Sequence, residues 1–240
     1  AGGLGRAFVD QLDAAGYEVV PVDVQGDVRR LDVTDPRACR ELAEELHPRV
    51  WVNNAGIGGA GGVLALDDDA VRRLVDVNLL GVIHGTRAAA ATRREDGEGV
   101  VLNVASLAGW APTPHIAVYS ATKHGVRAFS VATDAELRPD PPRIKCLLPD
   151  GIRTPMVDAH DPGNLMSFSG SRLLEPAEVA AAGVDLIDSN RILATVPRSR
   201  ALTVPLMGLA PRLALRLKPL IERRARRNRE AEAARLDGSP

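Results

Sequence analysis

Short apolar runs alternate with amphipathic segments along most of the chain. The runs that predict strands are 17–24 (YEVVPVDV), 28–33, 50–53 (VWVN), 100–104, 143–148 and 192–196. Apolar positions at helical spacing predict helices over 6–15, 36–47, 116–137 and 176–188, with a further helix that begins at 67–69. Strands that alternate with helices are typical of a parallel sheet with helices on both faces. We therefore expect a three-layer α/β fold with a single doubly wound parallel sheet.

The composition is that of an ordinary globular protein and excludes several classes. Of 240 residues, 45% are hydrophobic and 25% are charged, which argues against intrinsic disorder. Only 3% are aromatic and the formal net charge is −1, so a nucleic-acid-binding protein is disfavoured. Cys39 and Cys146 form neither a disulfide framework nor a metal cluster, which indicates a cytoplasmic protein without a metal site. No apolar run reaches the ~20 residues that span a bilayer.

The charge distribution divides the chain into two parts. Residues 198–229 contain ten basic residues and one acidic residue, whereas the rest of the chain has a formal charge of −10. We expect a catalytic domain over 1–197 and a basic helical extension over 198–240 that packs on this domain or on a partner subunit. Weak association of the extension with an anionic membrane surface is the alternative. Pro211 and Pro219 count against it because proline interrupts a continuous helix.

The beginning of the chain has the features of a dinucleotide site. The glycine-rich turn AGGLG precedes a predicted helix, and the next predicted strand ends in Asp23, eighteen positions after Gly5. Glycines let a pyrophosphate approach the backbone, and the free N–H groups of the helix N-terminus bind it. A carboxylate at the end of the second strand accepts hydrogen bonds from the adenosine ribose.

A strand is expected before the glycine turn, and the sequence contains none there. That strand lies at the centre of a doubly wound sheet, so two neighbouring strands have unpaired edges without it. We therefore expect residues upstream of Ala1, or another segment in this position. Only nine positions separate Asp23 from Asp32, too few for a connecting helix, so the second and third strands should be joined almost directly.

A second group of polar residues has the chemistry of proton transfer. Tyr119 and Lys123 lie one helical turn apart in YSATK, and Ser106 follows a predicted strand thirteen positions upstream. Asn78 lies inside a predicted helix, where asparagine is mildly unfavourable. A phenol serves as a general base only when its pKa is lowered towards neutrality, and a neighbouring ammonium has this effect. The spacing therefore favours Tyr119 as an acid/base group with Lys123 beside it.

Over residues 1–196 the chain resembles the classical short-chain dehydrogenase/reductase family. The matching motifs are AGGLG, Asp23, LDV at 31–33, NNAG at 53–56, Asn78, Ser106, YSATK and PDGIRT at 149–154. The resemblance implies a Rossmann-like fold and an NAD(P)-dependent oxidoreductase that interconverts a secondary alcohol and a ketone. It implies Tyr119 as the catalytic acid/base, Ser106 as the group that orients the substrate oxygen, and Asn78 as the holder of a water in a proton relay. Lys123 favours the phenolate and binds the nicotinamide ribose.

The resemblance also implies the remaining contacts. The cofactor-binding residues are Gly3, Leu4, Gly5, Asp23, Asp32, Val33, Asn54, Ala55, Gly56, Tyr119, Lys123, Pro149, Ile152 and Thr154. The candidate substrate contacts are Trp110, His115, Asp150 and Met156. The segment 157–174 is expected to form a lid over a small-molecule alcohol or ketone. Assembly into a homodimer or homotetramer is also expected.

NAD is expected to be preferred over NADP. Asp23 would meet the 2′-phosphate of NADP with a like charge. The basic residue that compensates for this in NADP enzymes of the family is absent, because its position is Gly2. Arg29 and Arg30 are near enough in sequence to offer an alternative phosphate site.

Two alternatives stand beside a dehydrogenase. An epimerase or dehydratase of the extended relatives is disfavoured by the short length and by NNAG. A cofactor-sensing regulator without turnover is disfavoured by the intact set of Asn78, Ser106, Tyr119 and Lys123. One departure from the family is Asp150, which follows Pro149 where the family has glycine, so that a carboxylate lies near the nicotinamide.

Overall fold

A computed structural model describes residues 3–59, 62–96, 98–157 and 161–238. The strands in these residues are β1 (Val22–Asp23), β2 (Arg29–Arg30), β3 (Val50–Asn53), β4 (Val100–Val104), β5 (Arg143–Pro149) and β6 (Leu193–Val196). Four of them form a parallel sheet in the order β3-β4-β5-β6, and β1 and β2 form a separate parallel pair. The predicted parallel α/β architecture is confirmed.

The gap expected at the centre of the sheet is present between β1 and β3. A cavity of about 1390 Å³ reaches both strands and is lined there by Val22, Val50 and Val52. The strand predicted over 17–24 forms only at Val22–Asp23, because strand pairing requires a hydrogen-bonded neighbour and β1 has one only in β2. The direct connection between these two strands is confirmed, since Val22 pairs with Arg29.

Helices connect the strands and close the two faces of the sheet. They are α1 (Gly3–Ala14), α2 (Pro36–Leu46), α3 (Asp68–Val75), α4 (Gly81–Asp96), α5 (Ala117–Leu137), α6 (Pro176–Ile187), α7 (Thr203–Leu209) and α8 (Pro211–Leu236). The starts of two of them follow from side-chain caps. Asp35 accepts hydrogen bonds from the backbone of Arg37 and Ala38, and Asp67 accepts one from Ala70, so α2 and α3 begin at these carboxylates.

Alternate side chains of β5 pack on opposite helical layers, which makes the sheet doubly wound. Leu147 joins the cluster that contains Phe8 of α1 and Val179 of α6. Cys146 and Leu148 join the cluster that contains Val126 of α5 on the other face. All of these β5 side chains are fully buried, so the strand lies at the centre of the core.

The C-terminal helix α8 packs on the segment 161–174. Ala225 of α8 is completely buried in a cluster with Leu165, Phe168 and Leu173. Pro219 lies inside α8 and does not end it, so the expected interruption at this residue is wrong. Proline leaves the carbonyl of Leu215 without its helical donor, and this position is exposed, so water can hydrate that carbonyl. Within the described residues, no helix is both long enough and apolar enough to cross a membrane.

Candidate active site

The four residues predicted to be catalytic meet at the carboxyl end of the four-stranded sheet. Tyr119 and Lys123 lie on the first turns of α5, with the Lys123 Nζ 5.6 Å from the centroid of the Tyr119 ring. Ser106 follows β4, and its hydroxyl lies close enough to the Tyr119 phenol to lower the pKa of that group. The Ser106 Oγ also accepts a hydrogen bond of 3.2 Å from the Ala108 N–H. Ser106, Tyr119 and Lys123 all line the cavity.

Burial sets the protonation of the pair on α5. The Lys123 Nζ donates to the Val104 carbonyl at 3.0 Å, and burial lowers the pKa of this ammonium to about 8. Burial raises the pKa of Tyr119, while the hydrogen bond from Ser106 lowers it. Around neutral pH the lysine is therefore mainly cationic beside a neutral phenol, and its charge favours loss of the phenolic proton.

Asn78 fixes the loop that follows β3. The residue is fully buried in a π-helical turn over Asp76–Leu80, between α3 and α4. Its Nδ2 donates to the Ile57 carbonyl at 2.9 Å, and its Oδ1 accepts from the Ile57 N–H at 2.8 Å. A Cβ at Gly56 would lie 3.3 Å from this Oδ1, so the loop approaches Asn78 closely. The extra residue of a π-turn turns the amide towards the loop.

The glycine turn lies against the segment that follows β5. Gly3 has a φ of +52°, and a Cβ at this residue would lie 3.0 Å from the Thr154 Cγ2. Ile152 pairs with Leu174 in an isolated parallel bridge, which holds this segment in place. The predicted cofactor residues of both segments line the same cavity, namely Gly3, Leu4, Gly5, Pro149, Ile152 and Thr154. The free N–H groups at the start of α1 suit a pyrophosphate.

The carboxylates at the adenosine end are held by their own turns. Asp23 ends β1, and its Oδ1 accepts from the Gln25 N–H at 3.1 Å. Asp32 accepts from both the backbone and the hydroxyl of Thr34, and these hydrogen bonds lower the pKa of the carboxyl. Together with Val33, Asn54, Ala55 and Gly56, the two aspartates line the cavity.

The two arginines that offered an alternative phosphate site have other partners. The Arg29 guanidinium makes two hydrogen bonds to Glu45, one of them 2.7 Å from Nη1 to Oε1. The Arg30 Nη1 donates to the Val24 carbonyl at 2.9 Å. Both groups would have to leave these partners to reach a phosphate.

Comparison with known proteins identifies the family. A family model described as short chain dehydrogenase matches residues 1–164. The chain belongs to this family. The 3-alpha-(or 20-beta)-hydroxysteroid dehydrogenase of Mycobacterium tuberculosis is 33% identical over an alignment of 204 residues, and the match covers 75% of this chain and 76% of that protein. The diacetyl reductase [(S)-acetoin forming] of Staphylococcus epidermidis is 27% identical over an alignment of 184 residues, and the match covers 67% of this chain and 72% of that protein.

Solved structures of the same fold agree with this assignment. A short chain dehydrogenase from Burkholderia cenocepacia in complex with NADP has a TM-score of 0.77 and 23% identity, covering 90% of this chain and 93% of its own. A short-chain dehydrogenase from Streptomyces avermitilis has a TM-score of 0.74, also with 23% identity, covering 91% of this chain and 92% of its own. The chain is thus a dehydrogenase/reductase of an NAD(P)-binding family with a Rossmann-like fold.

Asp150 of this dehydrogenase pairs with a residue of the C-terminal extension. Its Oδ2 lies 3.4 Å from the Arg200 Nη1, and its Oδ1 accepts from the Gly151 N–H at 3.0 Å. Burial raises the pKa of this carboxyl, while the charge of Arg200 lowers it. A Cβ at Gly170 would lie 2.6 Å from Oδ2, so a glycine there makes room for the carboxylate. Asp150 therefore links the end of β5 to the first residues of the extension.

The predicted substrate residues divide into two groups. Asp150 and Met156 line the cavity, whereas Trp110 and His115 are not among its lining residues. The Trp110 ring stacks on the Arg127 guanidinium at 4.2 Å, and its Nε1 donates to the Thr195 Oγ1 at 3.3 Å. The His115 Nε2 lies 3.2 Å from the Glu222 Oε1 of α8.

A buried polar network beneath the site was missed by sequence analysis. The Asn53 Nδ2 donates to the Asn103 Oδ1 at 2.8 Å and to the Thr86 Oγ1 at 3.1 Å. The Asn103 Nδ2 in turn donates to the Ser130 Oγ at 2.9 Å. The signal was an asparagine inside each of the apolar runs VWVN and VLNV, because a strand that is buried on both faces rarely contains one.

The wall formed by the extension was also missed. Five apolar side chains of α7 and α8 line the cavity, namely Val204, Met207, Ala214, Leu215 and Ile221. The sequence predicts an extension that packs on the catalytic domain or on a partner subunit, but neither composition nor spacing indicates that it lines the cavity.

Proposed function

We propose that this dehydrogenase interconverts a secondary alcohol and a ketone, with Tyr119 as the catalytic acid/base. The observation that carries the proposal is the constellation of Tyr119, Ser106 and Lys123 at one wall of the cavity. The Ser106 hydroxyl lowers the pKa of the phenol, and Lys123 provides a positive charge one helical turn from Tyr119.

Each residue has a role that its contacts support. In the direction of ketone reduction, the Tyr119 hydroxyl gives its proton to the carbonyl oxygen, which becomes the alcohol oxygen. The Ser106 hydroxyl accepts from the Ala108 N–H and lies beside the Tyr119 phenol, so its own hydrogen can turn to the same oxygen when a ketone is bound. The Lys123 ammonium stabilises the phenolate that remains, because opposite charges lower its free energy in a site of low dielectric.

The residues around the cavity fit a nicotinamide dinucleotide. The pyrophosphate would lie at the N-terminus of α1, the adenosine ribose at Asp23, and the nicotinamide between Tyr119 and Ile152. The nicotinamide supplies or accepts the hydride when the cofactor is bound. We infer that NAD is preferred, because Asp23 ends β1 and both nearby arginines are engaged with Glu45 and the Val24 carbonyl.

The apolar lining favours a bulky, mainly apolar substrate. Beyond Tyr119 the wall includes Met156, Met166, Val204, Met207 and Ile221. Methionines adapt to irregular apolar shapes, and burial of apolar area is the main source of affinity for such a ligand. The hydroxysteroid dehydrogenase named above supports this class of substrate. A location in the cytoplasm and assembly into a homodimer or homotetramer stay predictions.

The test is turnover with NADH and NADPH on a panel of ketones from acetoin-sized molecules to steroids, followed by the absorbance of the reduced nicotinamide. Tyr119→Phe removes only the hydroxyl and should lower kcat by about 10²–10⁴-fold with cofactor affinity nearly unchanged. Tyr17→Phe is the matched control, since it removes the second tyrosine hydroxyl of the chain, whose pKa is raised by burial and by Asp188 and which is not at Ser106. Turnover of Tyr119→Phe above about a tenth of the wild-type rate would contradict the assigned role. Cofactor binding without turnover on any substrate would favour the sensor alternative.

A further inference from the structure

The C-terminal extension has an inner face and an outer face of different character. The inner face contacts the body. Ala214 and Ile221 line the cavity, Ala225 is buried, and the Asn228 Nδ2 donates to the Phe168 and Gly170 carbonyls at 3.0 and 2.8 Å. These positions recur at the spacing of one helical stripe. The extension is therefore fixed on the body without using its outer face.

The outer face carries large apolar side chains in solvent. Leu206 and Leu209 of α7 are 61% and 82% exposed, and Leu202, Leu213 and Leu220 are also exposed. The leucines at 202, 206 and 209 follow helical spacing, and so do those at 213 and 220. A groove lined by Leu209, Ala210, Arg212, Leu213 and Arg216 joins the outer faces of the two helices. Contiguous exposed leucines on a folded chain mark an interaction surface.

Basic side chains lie among these leucines. Arg212 and Arg216 are exposed beside Leu213, and in the part of the chain that the structure describes they form no ion pair. The segment 198–229 has a formal charge of +9. Leucines and arginines on one exposed helical face are complementary to a bilayer whose headgroups are anionic.

We propose that the outer face of α7 and α8, formed by Leu202, Leu206, Leu209, Arg212, Leu213, Arg216 and Leu220, docks on an anionic lipid bilayer. A second copy of the chain fits the same face less well. Symmetric dimers place the same patch on both sides, so Arg212 and Arg216 of one copy would face those of the other. An anionic headgroup layer neutralises these charges and leaves the leucines in the acyl boundary.

The docked face adjoins the mouth of the cavity. Leu215 lines the cavity and is also 65% exposed, and Met207 of the neighbouring helix lines it as well. A bilayer on the outer face would therefore lie next to this mouth. If the proposed function holds, the substrate is an apolar alcohol or ketone that dissolves in lipid. From the bilayer, such a substrate would have only a short path to Tyr119. The docking itself does not depend on turnover.

The test is cosedimentation of the purified chain with vesicles of phosphatidylcholine alone or mixed equally with phosphatidylglycerol. The wild type should bind the mixed vesicles, bind pure phosphatidylcholine much more weakly, and lose binding as salt is raised. The double variant Leu206→Asp/Leu209→Asp should bind at least about tenfold more weakly, because two leucines that would enter the acyl boundary become charged. Arg212→Gln/Arg216→Gln should lose about fivefold for each arginine removed.

Matched controls separate the docking face from general effects. Leu236→Asp makes the same type of substitution once, at a leucine that is 60% exposed on α8, about 24 Å along the helix from Leu220. Arg72→Gln/Arg73→Gln removes two exposed arginines from α3. Both controls should bind as the wild type does, and all variants should have its circular dichroism spectrum and melting temperature.

Three results would overturn the docking proposal. The first is a wild-type chain that stays in the supernatant with mixed vesicles. The second is equal binding to both vesicle types that is unaffected by the leucine variants. The third is a soluble dimer that Leu206→Asp/Leu209→Asp converts to a monomer in sedimentation velocity, which would assign the face to a contact between copies. None of these readouts involves ketone turnover, so failure of the docking proposal and failure of the proposed activity are distinguishable.

Discussion

The catalytic end and the adenosine end of the cavity lie on strands that differ in length and in hydrogen bonding. At the catalytic end, Ser106 and Pro149 lie at the ends of strands β4 and β5, and each of these strands is hydrogen-bonded on both edges. At the adenosine end, Asp23 ends β1 and Asp32 follows β2, and these two strands are each only two residues long and border the gap in the sheet.

The contacts that hold the side chains differ in the same way. Lys123 bonds to a carbonyl 19 positions away, and Asn78 bonds to the backbone 21 positions away. The N–H groups that bond to the carboxylates of Asp23 and Asp32 lie two positions away in the chain. Long-range contacts fix a group relative to the whole fold, whereas local turn contacts fix it only relative to its own loop. Proton transfer requires groups that are fixed relative to the whole fold. Recognition of a ribose tolerates groups that are fixed only within their own loop.

The largest difference in stability between the catalytic end and the adenosine end is expected when one leucine in each is replaced by alanine. Leu147→Ala in β5 removes a fully buried side chain from a closed core and should lower the free energy of unfolding by about 4 kcal/mol. Leu42→Ala in α2 should cost only about 2 kcal/mol, because Leu42 already borders the cavity and makes fewer contacts to lose. Urea denaturation of both variants measures the two losses. Equal losses would show that the adenosine end is as tightly packed as the catalytic end.

Burial of Lys123 should make stability depend on pH. Its pKa in the folded chain is about 8, below the ordinary 10.5, so the unfolded chain binds more protons between these values. The free energy of unfolding should therefore gain about 3 kcal/mol from this group as the pH rises from 8 to 10.5. The buried thiols of Cys39 and Cys146, with pKa values raised to about 11 and 12, oppose this gain above pH 9.

The variant Lys123→Met isolates the contribution of the lysine. The difference in unfolding free energy between Lys123→Met and the wild type should be largest below pH 8 and should shrink towards pH 10.5. Both proteins keep the two thiols, so their effect cancels in the difference. A difference that stays constant over this range would mean that the ammonium is better solvated than its contacts indicate.

The buried network of Asn53, Asn103, Thr86 and Ser130 should contribute less to the free energy of unfolding than Leu147 or Lys123 does. Asn103→Ala leaves the Asn53 Nδ2 without its 2.8 Å acceptor in a buried site, and this should cost about 2 kcal/mol. Asn190→Ala is the control, because Asn190 is exposed and should cost almost nothing. Thermal unfolding of the two variants gives the comparison. A neutral Asn103→Ala would show that Thr86 alone satisfies the Asn53 amide.

The catalytic end was also the more predictable end from sequence. The strand bounds at 50–53 and 100–104 match β3 and β4, because continuous apolar runs with β-branched residues give a clear signal. The strand predicted over 17–24 came out shorter, since strand formation depends on a neighbour that local sequence does not contain. The positions of Tyr119 and Lys123 followed from helical spacing alone.

The spacing of residues along the sequence does not predict the direction of a side chain or its tertiary partners. Nothing local indicates that the Trp110 ring stacks on Arg127, which is 17 positions away, or that Asp150 meets Arg200. The inner and outer faces of α8 depend on where the helix docks. An arginine-rich sequence with leucines at two different stripes does not by itself say which stripe is buried.

The smallest expected effect is on cofactor choice at the adenosine end. Two unit charges 4 Å apart repel by about 1 kcal/mol in water, so removing the Asp23 carboxylate should shift the ratio of kcat/KM for NADH and NADPH by about fivefold towards NADPH. Asp27→Ala removes an exposed carboxylate from the same connection and should leave the ratio unchanged. Adding Glu45→Gln to Asp23→Ala frees the Arg29 guanidinium from its partner and should move the ratio further, because that cation can then meet the 2′-phosphate. Equal efficiency of the unmutated enzyme with both cofactors would reject the role of Asp23. It would also mean that loosely held residues such as Arg29 rearrange when the dinucleotide binds, which the rigid catalytic end does not allow.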